Sequence, residues 1–159
     1  MSKVEVNIRE AYGFYLNLIT LITSVDENGK ANVMTIAWAF QFSSNPPLFG
    51  ILISPKRYSY ELITKTKEFV VNVPTKDLEE KVMFCGSCSG RTVDKFKETG
   101  LTAVPAKRVK APWIKECILH LECKLVDVKP YGDHTLLLGE VLAAYVDKEA
   151  FSKEKLIFL

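Results

Sequence analysis

No long hydrophobic run, little histidine and no excess of either charge: each shortage in this sequence narrows what the chain can be. No apolar stretch approaches the ~20 residues of a membrane-spanning helix. The start, Met1-Ser2-Lys3-Val4-Glu5, lacks the hydrophobic stretch of a signal peptide. A cytoplasmic chain with no membrane partner is the expectation. The 21 Lys and Arg against 19 Asp and Glu leave a net charge of only +2, too little to argue for nucleic acid. Any working positive charge must therefore be local. Cysteines are few, at Cys85, Cys88, Cys117 and Cys123, and in a reducing cytosol a disulfide framework is not expected. No Gly-x-Gly-x-x-Gly fingerprint of a Rossmann-type dinucleotide site is present.

What is there is enough for one domain. The chain has 159 residues, 48% of them hydrophobic, which supports a sizeable core. Strand signals dominate. Residues 18–25 are apolar and β-branched, and Asn28-Gly29 then reads as a hairpin turn in which both residues tolerate positive φ. Residues 31–40 return as the partner strand. Ser43 to Pro47 breaks the chain, and residues 48–53 form a short buried strand. A helix is expected over residues 59–67, capped by Ser59, with Glu61 suiting its positive end. Residues 68–73 read as a strand. Thr75 can cap a second helix that turns Leu78, Val82 and Met83 to one face. Residues 85–91 read as a loop, residues 92–99 as a short helix ended by Gly100, and the basic stretch Lys107 to Lys115 as a surface loop. Strands over residues 118–128 and 135–146 complete six. Strands spaced this way suggest a closed barrel, mainly β with short helices on its connections.

Three segments gather polar residues where the chain leaves a strand: Asn32 to Trp38, Ser54 to Tyr60, and Cys85 to Phe96. The second and third join hydroxyls, cationic side chains and free backbone N–H groups at a helix start, which is the chemistry of a phosphate site. An Arg fork beside a Lys point charge suits a phosphate monoester. In the first segment, Thr35 and Trp38 beside small Ala37 can receive a flat ring and hydrogen-bond its edge. Taken singly, capping serines, surface cations and a core tryptophan explain each segment better.

Together these residues resemble the flavin-reductase-like, FMN-binding split-barrel family, and most closely its flavoredoxin-like branch. The likeness runs from about Tyr12 to about Asp147. It is carried by Asn32-x-Met34-Thr35-x-Ala37-Trp38, Pro46-Pro47-Leu48, Ser54-Pro55-x-Arg57-x-Ser59-Tyr60 and Glu68 to Pro74. It continues through Cys85-Gly86-x-x-Ser89-Gly90-Arg91-x-x-Asp94-Lys95-Phe96, Gly132-Asp133-His134 and Gly139-Glu140-Val141. The resemblance implies a six-stranded Greek-key split β-barrel with short peripheral helices, a homodimer, and one FMN per subunit in a groove between subunits. By similarity, Asn32, Met34, Thr35, Ala37 and Trp38 line the isoalloxazine edge. Ser54, Lys56, Arg57, Tyr58 and Ser59 serve the phosphate and ribityl chain. Ser89, Gly90, Arg91 and Lys95 join the same anion pocket, Phe96 packs nearby, and His134 reaches the cofactor. Members of the family usually continue a few dozen residues past the point matching Phe158-Leu159, through a segment that helps cover the flavin. Either a more exposed flavin or a longer natural chain is therefore expected.

Two functions follow from the resemblance. One is an NAD(P)H-dependent flavin reductase, in which NADH or NADPH stacks transiently on the flavin. Hydride transfer to the flavin strictly requires no protein acid or base, so no catalytic residue is named. The other is an electron carrier with permanently bound FMN, whose basic residues Lys107, Arg108, Lys110 and Lys115 dock an acidic ferredoxin-like protein. A solvated loop explains those four cations more simply. A third class, a metal or thiol-redox module, rests on the Cys85-Gly86-Ser87-Cys88 spacing. Cys117 and Cys123 read as core thiols on one strand face with Leu119 and Leu121. His120, alternating with Glu122 and Lys124, reads as part of a polar strand face.

Overall fold

The computed structural model describes residue 7 and residues 18–148. Met1 to Glu5 and Phe158-Leu159, on which expectations were placed, lie outside them. Seven strands form one antiparallel sheet: β1 (Thr20–Val25), β2 (Ala31–Ile36), β3 (Ala39–Ser44), β4 (Pro47–Ile53), β5 (Glu68–Val73), β8 (Leu119–Tyr131) and β9 (His134–Val146). A two-stranded ribbon, β6 (Ala103–Val104) and β7 (Trp113–Ile114), lies apart from it. The order across the large sheet is β2-β1-β5-β8-β9-β4-β3. Its two edge strands, β2 and β3, are thus consecutive in the chain and joined only by Ala37-Trp38. The sheet curls until its edges share that dipeptide, where the Leu52 amide donates to the Trp38 carbonyl at 2.9 Å. This is a split barrel, and the single strand expected over residues 31–40 is its seam. The six expected strands become seven because that strand must change sheet edge.

The β1–β2 hairpin is closed by residues 26–30, with Gly29 at φ +82° and Asn28 outside the left-handed region. The Asp26 carboxylate accepts from the Asn28 and Lys30 amides at 2.9 and 2.8 Å, so the turn leans on aspartate as much as on glycine. Every residue of β1 is buried, because both its faces are covered. Ile22 faces the barrel interior with Ile36, Ile51, Ile53, Phe69, Val71 and Leu137. Leu21 faces outward into a second cluster with Val33, Leu78, Val82 and Cys85. That alternation follows from the two-residue period of a strand.

Among the described residues, three helices decorate the connections: α1 (Tyr58–Thr66), α2 (Glu79–Ser87) and α3 (Lys95–Thr99). Ser59 does not cap α1. It lies inside the helix, buried, and its hydroxyl accepts from Asn32 Nδ2 at 2.8 Å. Thr75 precedes a 3-10 turn (Lys76–Leu78) without a side-chain cap, and α2 then runs to Ser87, through the first half of the expected loop. Of the three apolar residues expected on one face of α2, Leu78 and Val82 are buried but Met83 is 67% exposed. Asp94 caps α3 by accepting from the Lys97 amide, and Gly100 ends it at φ +64°.

A cationic cleft at the barrel mouth

Two adjoining clefts open where β2 leaves the barrel. One, of about 200 Å³, lies among β2, the start of α1 and the end of α2; Asn32, Lys56, Arg57, Ser59, Gly90 and Lys95 are in its walls. The other, of about 170 Å³, includes Ala37, Trp38, Leu52, Ser54 and His134. They share Met34, Thr35 and Arg57, so they form one trough with a volume in the range of small-ligand sites. The three segments singled out in the sequence converge here.

The two ends differ in chemistry. At the first, Lys95 is 5% exposed, and its ammonium donates to the Cys85 carbonyl at 2.7 Å. A cation at the carbonyl end of α2 satisfies one of that helix's free acceptors. No carboxylate lies within ion-pair distance of Lys95, Lys56 or Arg57 among the described residues. Burial pulls the Lys95 ammonium below the ordinary lysine range, although the neighbouring Cys88 and Cys85 oppose the shift; Arg57 lowers it further. Three uncompensated cations converge beside the Ser59 and Ser89 hydroxyls and the N-terminus of α1. The chemistry of that donor set suits an anion. At the second end, the Trp38 and His134 rings meet at 4.6 Å, tilted by 50°, above Leu52 and Ile53. His134 Nδ1 is 2.8 Å from Asp133. This end presents two aromatic rings beside the apolar Met34, Ile36 and Leu52, with Thr35 and Ser54 as its hydroxyls.

The cationic end has little slack. Asn32 joins β2 to α1 through Ser59, and a Cβ on Gly90 would strike the Asn32 side chain and come within 3.1 Å of the Tyr58 ring. Gly90 is thus required by close approach to protein. Thr35 donates to the Val82 carbonyl at 2.5 Å, and its side chain faces Gly86 on α2.

Two expected site residues line neither cleft. Arg91 is turned out of the trough: its guanidinium pairs with Glu61 at 2.8 Å and stacks over the Tyr58 ring at 4.8 Å. Phe96 packs against the outer core cluster and lines neither cleft. Conversely, Cys85, Gly86 and Cys88 line the cationic cleft although they were not expected there; their position in the third segment was the only signal. No group of three or more His, Cys, Asp or Glu among the described residues is arranged to hold a metal.

His120 and Glu122 are not on a solvated face. Both are buried beneath residues 105–114. His120 Nδ1 is 2.9 Å from Asn72 Oδ1, and its ring stacks on Trp113 at 5.1 Å. Cys117 and Cys123 are buried as expected but in different clusters, Cys117 outside the barrel and Cys123 within it.

A split barrel with an anion-suited trough at its seam is the form of a small-molecule-binding protein, and comparison with known proteins gives the family. The chain belongs to the family of the flavin reductase like domain, whose model matches residues 12–159. That membership makes it a flavin-linked oxidoreductase in kind. An uncharacterised protein of Pyrococcus abyssi is 38% identical over 146 residues, 92% of this chain and 84% of that one. Among solved structures, the flavoredoxin of Desulfovibrio vulgaris (Miyazaki F) superposes with a TM-score of 0.81 at 29% identity, covering 86% of this chain and 73% of its own. The FMN-binding protein of Thermus thermophilus gives 0.84 at 26% identity, covering 98% and 86%. No helix among the described residues is long and apolar enough to cross a membrane.

Proposed function

We propose that the trough binds FMN and that the protein is an FMN-dependent oxidoreductase of the flavin-reductase type, working as a homodimer in the cytoplasm. The observation that carries this reading is the pairing of three cations without a carboxylate partner among the described residues at one end with an aromatic end at the other. A terminal phosphate suits Lys56, Arg57 and Lys95, helped by the Ser59 and Ser89 hydroxyls and by the backbone at Tyr58 and Gly90, while Ser54, in the wall of the second cleft, suits the ribityl chain. A planar ring suits the end formed by Met34, Thr35, Ala37, Trp38 and His134. Arg91 reaches the phosphate only by leaving Glu61, so its role in the resting protein is to hold Tyr58 against the cleft wall. Phe96 supports the site from the core side. The flavin supplies the two-electron chemistry; the protein orients it and neutralises its phosphate. With the phosphate itself held by the cluster, FMN is favoured over FAD, in keeping with the similar Thermus thermophilus protein.

The test is identification of the cofactor released by heat, followed by anaerobic addition of NADH or NADPH to the holoprotein. FMN that is bleached by a nicotinamide is the expected result. FAD as the sole bound flavin overturns the assignment. Bound FMN that no nicotinamide reduces favours the second reading, an electron carrier like the flavoredoxins. One observation supports that reading: the side chains of Lys107, Arg108 and Lys110 are exposed while their backbone is pinned to the sheet, which presents a fixed basic surface to an acidic ferredoxin-like partner.

A further inference from the structure

Cys85 and Cys88 are polar groups of the cleft that the proposed cofactor binding leaves unused. Both line its cationic end. Cys85 is in the last turn of α2, and Cys88 is the residue at which the helix stops, with extended backbone at φ −128° and ψ 166°. Residues three apart on a helix have Cβ atoms about 5–6 Å apart, and a disulfide needs about 3.5–4.5 Å. Closing that gap asks for a shift of about 1–2 Å by Cys88, which no longer belongs to the helix. The only side chain between them is that of Ser87, since residue 86 is glycine.

The two thiols also differ in the way disulfide exchange uses. Cys88 is partly exposed, and its thiol donates weakly to the Phe84 carbonyl at 3.4 Å. Cys85 is fully buried, and burial pushes its thiol up to about 11 against the opposing pull of the Lys95 ammonium. The accessible thiol attacks first; the buried one, whose raised pKa leaves little thiolate, attacks second and more slowly, from within reach. Cys117 and Cys123 lack this arrangement, being buried in separate clusters.

We propose that Cys85 and Cys88 are a reversible dithiol–disulfide pair in the cleft wall, closed by exchange with a small disulfide, and that closing it weakens the hold on phosphate. Cys88 attacks one sulfur of the small disulfide and expels the first thiol. Cys85 then attacks the mixed disulfide at Cys88 and expels the second. Two S–H bonds of the protein are replaced by one S–S bond, while the small disulfide takes up both electrons and both protons as two thiols. The Cys85 carbonyl holds Lys95, and Cys88 leads directly into Ser89 and Gly90. Drawing Cys88 toward Cys85 therefore moves Gly90, which has no clearance from Asn32, and disturbs the seat of Lys95.

The second half of this proposal rests on the FMN reading, so the experiment separates the two. The full chain is equilibrated with oxidised glutathione or with dithiothreitol, disulfides are located by peptide mass spectrometry, and each form is titrated with FMN and with riboflavin. The expected result is a link between Cys85 and Cys88 in the oxidised form, an FMN affinity about tenfold lower, equivalent to the loss of one hydrogen bond to a charged group, and little change for riboflavin. Dithiothreitol restores the first state, and Cys88→Ser is insensitive to oxidised glutathione. A mixed disulfide stranded on Cys88, or no oxidation at either residue, overturns the pair. A closed pair with an unchanged FMN-to-riboflavin ratio overturns its effect on the cleft. Reduced protein that binds neither flavin refutes the FMN reading and the effect on phosphate together, while the mapping still decides the pair.

Discussion

At the residue scale, what distinguishes the cleft is close packing around unpaired charge. Gly90 is held there by sterics, because any Cβ meets Asn32 and Tyr58. Gly90→Ala should cost about 1–3 kcal/mol, the usual range for overpacking, measured by urea unfolding; an unchanged midpoint would mean that the Ser89-Gly90 segment yields freely. Lys95 gives a pH signature. Its folded value lies below the ordinary 10.5 because of burial, so between the folded value and 10.5 the unfolded chain binds the proton better. Stability of the flavin-free protein should therefore rise with pH through that window, and be lost again as pH falls through the folded value. Lys95→Met should remove this alkaline gain, and a variant with the same pH profile as the parent would contradict the burial argument. Lys95 and Gly90 stood out in the sequence because cation, glycine and serine clustered at an expected helix start, in a segment that resembles the family's. The turning of Arg91 onto Glu61 was not legible, since it depends on two segments 30 residues apart meeting in space.

At the scale of elements, the connection before β8 was hardest to read. Its basic residues look like a solvated loop, and their side chains are indeed exposed, but its backbone is bound. Glu122 accepts from the amides of Lys107 and Arg108 at 3.0 and 2.6 Å and from Trp113 Nε1 at 2.8 Å. Glu68 accepts from the Lys110 and Ala111 amides at 2.6 and 3.2 Å. Two strand carboxylates thus fasten a stretch that cannot pair with the sheet. Strand alternation alone put His120 and Glu122 on one face correctly, but it cannot say what covers that face. Glu122→Ala leaves three donors without their acceptor and should cost at least about 3 kcal/mol, with faster hydrogen exchange at the Lys107 and Arg108 amides. Exchange at the parent rate would show that the carboxylate does not hold the loop. The elements that were legible, β1, β4, β5 and the end of α3, have local signals: short apolar runs, or a glycine stop; the Asp94 cap that starts α3 three residues later than expected was not read. The seam at Ala37-Trp38 has none, because barrel closure and not local propensity decides where that strand turns.

At the scale of the whole molecule, the sheet removes most of its edges by curling, yet leaves apolar surface uncovered. Phe40 and Phe42 on edge strand β3 are 45% and 46% exposed and stack at 5.0 Å. Val126, Val128 and Tyr131 are exposed on the far part of the β8–β9 hairpin. Exposed aromatic edges of this kind ordinarily meet a partner, which supports the proposed homodimer. Phe40→Asp should yield a monomer in light scattering and lower flavin occupancy; a dimer of undiminished stability would exclude this surface. The central claim is that the cationic end of the cleft exists to hold a phosphate, and parallel binding titrations of FMN and riboflavin to the parent and to Lys95→Met test it most directly. Bonds to charged groups contribute roughly 1.5–3 kcal/mol, so FMN affinity should fall about tenfold to a hundredfold while riboflavin, which lacks the phosphate, is nearly unaffected. Equal losses for both flavins would mean that Lys95 serves only to cap α2, and the phosphate site would have to be sought elsewhere.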